Sequence, residues 1–273
     1  MSIYLDHAAT SPLRPAALSA LVNQLKEVGN PSSLHTFGRE TRRVLEESRE
    51  KIAQFISAAP NEIIFTSSGT ESNNLAVKGL FWKSNKKIIV VSAIEHHAVL
   101  DPAKWLSEKE GAEVIQIPVN SEGVISLDFL GDLIAKRGAE IALISIMHSN
   151  NETGALQPIK EVISLAGDIP VHCDAVQSLA KVPLEFTGLT AMSINAHKLG
   201  GPIGIGALVL KRGIDIPALL HGGGQEREIR SGTLNAPMAT AFAAVLENYP
   251  SAAIAKLKEI LISGIKSSIP DAV

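Results

Sequence analysis

The chain of 273 residues is long enough to bury a sizeable core, as one large α/β domain or as such a domain with part of a second. Its 25 Lys and Arg against 28 Asp and Glu leave a formal charge of -3, which provides neither the basic footprint of a nucleic-acid binder nor an acidic tail. A single cysteine, Cys173, excludes an internal disulfide framework and a multi-cysteine zinc site; with no secretory pattern at the start and no apolar run of membrane length, a soluble, cytoplasmic protein is expected.

Residues 1–11 read as an extended arm, Ile3-Tyr4-Leu5 followed by Asp6-His7-Ala8-Ala9-Thr10-Ser11. Pro12 opens a helical pattern that runs to about Val28, where Gly29-Asn30-Pro31-Ser32-Ser33 breaks it. From Leu34 onward, Val44, Leu45, Ile52, Phe55 and Ile56 recur at helical spacing while Arg42, Arg43, Glu46, Glu47, Arg49 and Glu50 cover the other face, so a long amphipathic helix is predicted. The period then changes. Residues 63–66, 88–91, 114–117, 141–147 and 169–173 read as strands, with helices over 70–80, 98–109, 127–136 and 159–166 between them. This alternation predicts a mostly parallel sheet covered on both faces, with its site at the carboxyl ends of the strands. An apolar run over 203–210 and a triple-glycine turn at 222–224 follow. Helices over 238–246 and 252–265 close the chain, which ends on Ile269-Pro270-Asp271-Ala272-Val273 with no terminal element and so reads as a cut.

Several strand-end segments carry chemistry. Lys198 sits among apolar and small residues in Ser193-Ile194-Asn195-Ala196-His197-Lys198-Leu199-Gly200-Gly201-Pro202, where desolvation would favour a neutral, nucleophilic amine; the alternative is a surface lysine past a strand end. Ser67-Ser68-Gly69-Thr70-Glu71-Ser72, between a strand and a helix, is either a phosphate cradle or an ordinary N-cap. His96, in Glu95-His96-His97-Ala98, is placed to stack on a flat ligand or to cap the next helix; adjacent histidines share no helix face, so no metal is assigned there. Asn150 and Asn151 offer amides after the strand over 141–147, in a turn that favours asparagine anyway. Asp174 ends an apolar strand, where an unpaired carboxylate is costly, so it needs a cationic or hydrogen-bonding partner such as a protonated pyridine nitrogen; Gln177 in the next turn is placed near that ring's oxygen. Cys173 reads as a core residue. Arg227 to Thr233 is an anion site or an exposed loop. Together, a strand-end aspartate, a lysine two dozen residues later and a hydroxyl-rich turn upstream describe a pyridoxal 5'-phosphate pocket.

The chain resembles the cysteine desulfurases of the NifS/IscS kind, within the fold-type-I, class-V aminotransferase group. The resemblance rests on Tyr4 to Thr10, Gly29 to Ser33, Thr70 to Asn74, Glu95-His96, Met147 to Glu152, Asp174 to Ser178, His197-Lys198, His221 to Glu226 and Arg230 to Leu234, in that order. It implies a large domain over 15–250, a small-domain arm over 1–14 and the start of a truncated C-terminal small domain over 251–273. It further implies that Lys198 forms the Schiff base and then carries protons, that His96 stacks on the ring, and that Asp174 pairs with the ring nitrogen. Gln177 and Asn151 would bind around the ring oxygen and substrate, Gly69, Thr70 and His197 would hold the phosphate, and Thr233 would reach the phosphate of a partner subunit in a homodimer. The implied reaction takes sulfur from L-cysteine, leaving L-alanine and a persulfide for an iron-sulfur scaffold or another acceptor.

Two departures stand out. Asn195 occupies a position where family members carry serine or threonine on the phosphate, although its amide can still donate. No cysteine follows Cys173 and no arginine follows Arg230, so the expected persulfide cysteine and carboxylate-binding arginine are missing, and a truncated chain with little turnover of its own is expected. The alternatives are a non-catalytic or scaffolding protein that binds the same cofactor, and a selenocysteine lyase or class-V aminotransferase.

Overall fold

A computed structural model describes residues 3–247 and 249–269. In chain order its elements are α1 (Pro15–Leu25), α2 (Thr36–Phe55), β1 (Ile63–Thr66), α3 (Gly69–Lys83), β2 (Ile88–Ser92), α4 (His97–Glu110), β3 (Glu113–Ile117), α5 (Leu127–Arg137), β4 (Ile141–Met147), α6 (Ile159–Ala166), β5 (Val171–Asp174), β6 (Ala191–Asn195), β7 (Gly206–Leu210), α7 (Ala236–Leu246) and α8 (Ser251–Ser268).

The seven strands form one sheet in the order β1-β7-β6-β5-β4-β2-β3. Only β7 runs against the rest: β6 and β1 both pair with it antiparallel, while the β2–β3, β2–β4, β4–β5 and β5–β6 pairs are parallel. The carboxyl ends of β1, β2, β4, β5 and β6 therefore share one edge. Strands β1, β2, β4, β5, β6 and β7 are buried along their whole length, as expected of strands covered on both faces. On one face, Leu45 and Ile52 of α2, Leu130 of α5, Val162 of α6 and Phe242 of α7 form a continuous core with the sheet. On the other, Leu75 and Leu80 of α3 pack with Val99 and Leu106 of α4.

The predicted helix from Pro12 starts at Pro15: residues 7–9 form a turn, and the irregular stretch after it is bonded to the turn after β6, Ser11 N–H donating to His197 O and Arg14 N–H to Gly200 O. Gly200 adopts φ +82, and a Cβ there would lie 2.5 Å from the Arg14 side chain, so glycine permits this close passage of the arm. Strand β6 was not among the predicted strands. Its sequence, Ala-Met-Ser-Ile-Asn, alternates apolar Met192 and Ile194 with small or polar residues, but over only five residues and with just two large apolar side chains it does not stand out as a strand. The 203–210 run supplies a strand only from Gly206, after a turn at 203–204. Helix α8 has all of its residues exposed, including Leu257, Ile260 and Leu261. The stretch 270–273, together with residues 1–2 of the expected arm, lies outside the described residues.

Candidate active site

The shared strand edge opens into a cleft of about 530 Å³. Of the predicted site residues, Gly69, Thr70, His96, Asn151, Asp174, Gln177, Asn195, His197 and Lys198 all line it; Thr233 does not, lying in an exposed loop of the same chain.

The floor is Asp174, buried at the end of β5. Its Oδ2 accepts from Asn73 Nδ2–H at 2.6 Å and its Oδ1 from Val176 N–H at 3.0 Å. Burial pushes its pKa up, against these two bonds and the nearby His96 and Lys198. A carboxylate held this way gains most from a cationic partner entering the cleft.

Lys198 stands in the single turn that follows β6. Its Nζ–H donates to the carbonyls of Ala8 and Ala9, the latter at 2.7 Å, so the arm lies directly across the amine. Burial lowers its pKa below the ordinary lysine value, with Asp6 and Asp174 opposing. The half-buried amine thus gives up its proton more readily than a surface lysine, as a nucleophile toward a carbonyl carbon requires.

The mouth opposite the floor is the N-terminus of α3. Ser68 is its N-cap, its Oγ accepting from Glu71 N–H at 3.1 Å, and the N–H groups of Gly69 and Thr70 belong to the first turn, which has no intrahelical acceptors. The N-cap and cradle readings therefore coexist at one helix end. Glu71 is kept from crowding that anion site: its carboxylate is engaged by Ser67 N–H at 2.6 Å and by Arg230 Nε at 2.8 Å, which with burial opposing them holds its pKa low. Close approach of the strand end requires Gly206, whose Cβ would meet the Ser68 backbone at 2.7 Å. Asn195 is buried beside Gly69, with its Nδ2 3.3 Å from where a Gly69 Cβ would stand.

The walls are more open. His96 Nδ1 accepts from Ala98 N–H at 3.0 Å, so it caps α4 and leaves Nε2 as the ring donor. His197 Nδ1 lies 3.2 Å from Thr10 Oγ1, and burial, Lys198 and Lys181 all lower its pKa. The neighbouring Asn150 serves the turn itself, its Oδ1 accepting from Glu152 N–H and Thr153 N–H, which leaves Asn151 to face the cleft. The loop over 227–233 supplies no free cation: Arg227 donates to the Asn61 and Ile214 carbonyls and Arg230 pairs with Glu71. Cys173 is buried in the core, where burial raises its thiol pKa well above the ordinary value, so it is not poised as a nucleophile.

Three participants escaped sequence reasoning. Asn73 supports Asp174 from inside α3, where it reads as an ordinary polar helix residue. Lys181 meets Gln177 four residues earlier, at 2.9 Å. Glu95, read only as a neighbour of His96, is fully buried; its Oε1 accepts from Ser92 Oγ–H at 2.6 Å and Met147 N–H at 2.7 Å, while its Oε2 has no partner. Burial raises its pKa from 4.5 to about 8.

Glu95 and the buried His172, whose ring lies between Ser145 Oγ and Ser193 Oγ, give opposite pH dependences. Folding retains the Glu95 proton up to about 8 while the unfolded chain releases it near 4.5, so stability falls as pH rises through that window. Burial lowers the His172 pKa from 6.5 to about 3, so the stability from keeping it neutral is lost as pH falls below 6.5. Urea titrations across pH should show Glu95→Gln gaining stability relative to the unsubstituted chain from pH 4.5 to 8. A constant difference would mean that Glu95 is already charged when folded.

A buried carboxylate floor, a deprotonatable amine and a helix N-terminus converging on one cleft match the donor set of pyridoxal phosphate: ring nitrogen, aldehyde and phosphate in turn. The chain is similar to known proteins along nearly its whole length. The class-V aminotransferase pattern matches residues 3–266. An IscS-like cysteine desulfurase of Mycobacterium tuberculosis is 44% identical, over 98% of this chain and 72% of its own length. The cysteine desulfurase IscS of Dictyoglomus turgidum is 50% identical over 85% of this chain and 60% of its own length, and the human cysteine desulfurase is 40% identical over 99% and 62%. This chain thus spans about 60 to 72% of these relatives. Among solved structures, a NifS-like protein superposes with a TM-score of 0.91 at 36% identity, covering 98% of this chain and 76% of that one. A structure described as SspA in complex with cysteine gives 0.88 at 34% identity, covering 96% and 78%. With the family pattern running almost end to end, the chain belongs to the class-V aminotransferases.

Proposed function

We propose that this chain is the cofactor-binding core of a pyridoxal 5'-phosphate-dependent cysteine desulfurase. The observation that carries the reading is the convergence of Lys198, Asp174 and the α3 N-terminus on one cleft; the names of its relatives support L-cysteine as the substrate. Lys198 holds the cofactor through its amine, Asp174 pairs with the ring nitrogen, and His96 covers the ring face. Gly69, Thr70, Asn195 and His197 surround the phosphate, and Asn151 and Gln177 flank the ring oxygen and substrate. Pyridoxal phosphate, when bound, supplies the electron sink that lets bonds around an amino acid's α- and β-carbons break. With the cofactor bound, Lys198 Nζ would be the base placed to move the substrate's α-proton.

The sulfur must then pass to a thiol: L-cysteine and a thiol give L-alanine and a persulfide. Cys173 is shielded from this role. The acceptor is therefore a thiol outside these 273 residues, with an iron-sulfur scaffold or another acceptor protein downstream, in a reducing cytoplasm. No described helix is long and apolar enough to cross a membrane. In this proposal residues 1–14 belong to a small-domain arm, 15–250 to the large domain and 251–273 to the start of a small domain.

Incubation of the purified chain with pyridoxal phosphate and L-cysteine tests the reading. Alanine formation that depends on added thiol is expected; amino transfer to a keto acid without alanine from cysteine would replace it with an aminotransferase.

A homodimer completes the site, with Thr233 reaching the partner's phosphate from its exposed loop. Apolar Val28 and Phe37 border one surface groove, are 79% and 67% exposed, and support this association. Sedimentation should give a dimer whose dissociation constant rises at least tenfold in Phe37→Asp, as expected for a charge placed in an apolar contact. A monomer in both proteins would refute the shared site.

A further inference from the structure

Gln177 is held at both ends of its amide. Its Nε2–H donates to the Ala8 carbonyl at 2.9 Å, and its Oε1 accepts from Lys181 Nζ, also at 2.9 Å. An ammonium group carries donors only, so the atom facing Lys181 must be the amide oxygen. The flip ambiguity that attends most glutamines is removed, and the N–H₂ edge is directed to the arm and the cleft.

Local backbone geometry brings Lys181 into place. After Asp174 the chain forms successive turns, with Ser178 N–H and Leu179 N–H donating to Ala175 O and Lys181 N–H to Ser178 O. Ala180 adopts φ +59, a left-handed conformation unfavourable for an alanine, which turns the chain so that Lys181 returns to Gln177. Lys181 lies outside the cleft lining, so it acts on the site through Gln177.

We propose that Lys181 is a positioning residue for the cofactor: it locks Gln177 with its N–H₂ edge toward the ring oxygen. This rests on the reading that the cleft takes pyridoxal phosphate. The charged groups coupled to Lys181 are Lys198 and His197. Burial, and then Lys198, lower the Lys181 amine to about 8, so it is largely protonated at neutral pH.

Three proteins decide the matter: the unsubstituted chain, Lys181→Met, which keeps the stem and removes donor and charge, and Lys181→Arg, which keeps both. The dissociation constant for pyridoxal phosphate is read across pH. In Lys181→Met binding should weaken about fivefold at pH 7, the value of one hydrogen bond, and the difference from the unsubstituted chain should shrink above pH 8 as its Lys181 amine loses the proton. Lys181→Arg should stay near the unsubstituted value. If Lys181→Met proves unfolded by its melting curve, Lys181→Leu takes its place, with the same expected loss. An unchanged dissociation constant in the folded variant would overturn the proposal. Failure of the unsubstituted chain to bind pyridoxal phosphate would instead overturn the reading of the cleft, and the proposal with it.

Discussion

Lys198→Ala should bind pyridoxal phosphate without the visible absorbance of a covalently held cofactor and should lower alanine formation by about three orders of magnitude or more. Removing the amine deletes the attachment point and the base for the α-proton, and a positioned acid-base group alone contributes roughly 10²–10⁴-fold. The fold should survive. Nζ is bonded only to the Ala8 and Ala9 carbonyls, at the edge of the cleft, and the amine is half-exposed, so its loss breaks no buried pair. Circular dichroism and a melting curve matching the unsubstituted chain would separate lost chemistry from lost structure. A Lys198→Ala protein that kept the absorbance would move the covalent link elsewhere.

Glu226→Ala should destabilise the fold by about 3 kcal/mol, the low end for breaking a buried pair, since Arg49 would keep only the half-exposed Glu46 as an ionic partner. Glu226 and Arg49 meet through two contacts, Oε1 to Nη2 at 2.7 Å and Oε2 to Nη1 at 2.9 Å, with both side chains buried. Glu226 Oε2 also accepts from Phe65 N–H at 2.6 Å, Arg49 donates to Ile63 O, and the guanidinium lies 4.7 Å over the Phe65 ring. This cluster holds a backbone that would not stand alone: Glu226, Arg227 and Glu228 have φ of 45, 60 and 62, three successive left-handed residues without a glycine. The same loop carries Arg230, which restrains Glu71 at the mouth of the phosphate cradle. Urea unfolding of Glu226→Ala should therefore show a lowered midpoint together with weaker pyridoxal phosphate binding. Arg49→Met should behave alike, stranding the carboxylate instead of the guanidinium. A loss below 1 kcal/mol in both would mean that the loop is held by other contacts.

Much of this arrangement was legible in the sequence because the parallel strands are short and separated by helices of clear period. Once 63–66, 88–91, 141–147 and 169–173 were strands, the segments after each were bound to share one edge, and Gly69, His96, Asn151 and Asp174 meet there. Motif order added Lys198, although the strand before it, β6, is too short and has too few large apolar residues to stand out in the sequence. What stayed hidden depends on contacts between distant residues or on backbone conformation. The Glu226–Arg49 pair joins residues 177 apart. The Ala8 and Ala9 carbonyls belong to an arm whose sequence gave no sign that it crosses the cleft. Lys181 and Glu95 were passed over because their significance comes from burial, which no local pattern of charges reveals.

The central claim is that Lys198, facing Asp174 across the cleft, holds pyridoxal phosphate covalently. Loading the chain with the cofactor, reducing with borohydride and mapping peptides by mass spectrometry tests this directly. The account predicts a pyridoxyl group on the peptide containing Lys198, and none on that containing Lys181. An unmodified Lys198 with the adduct on another lysine, or no adduct anywhere, would contradict it.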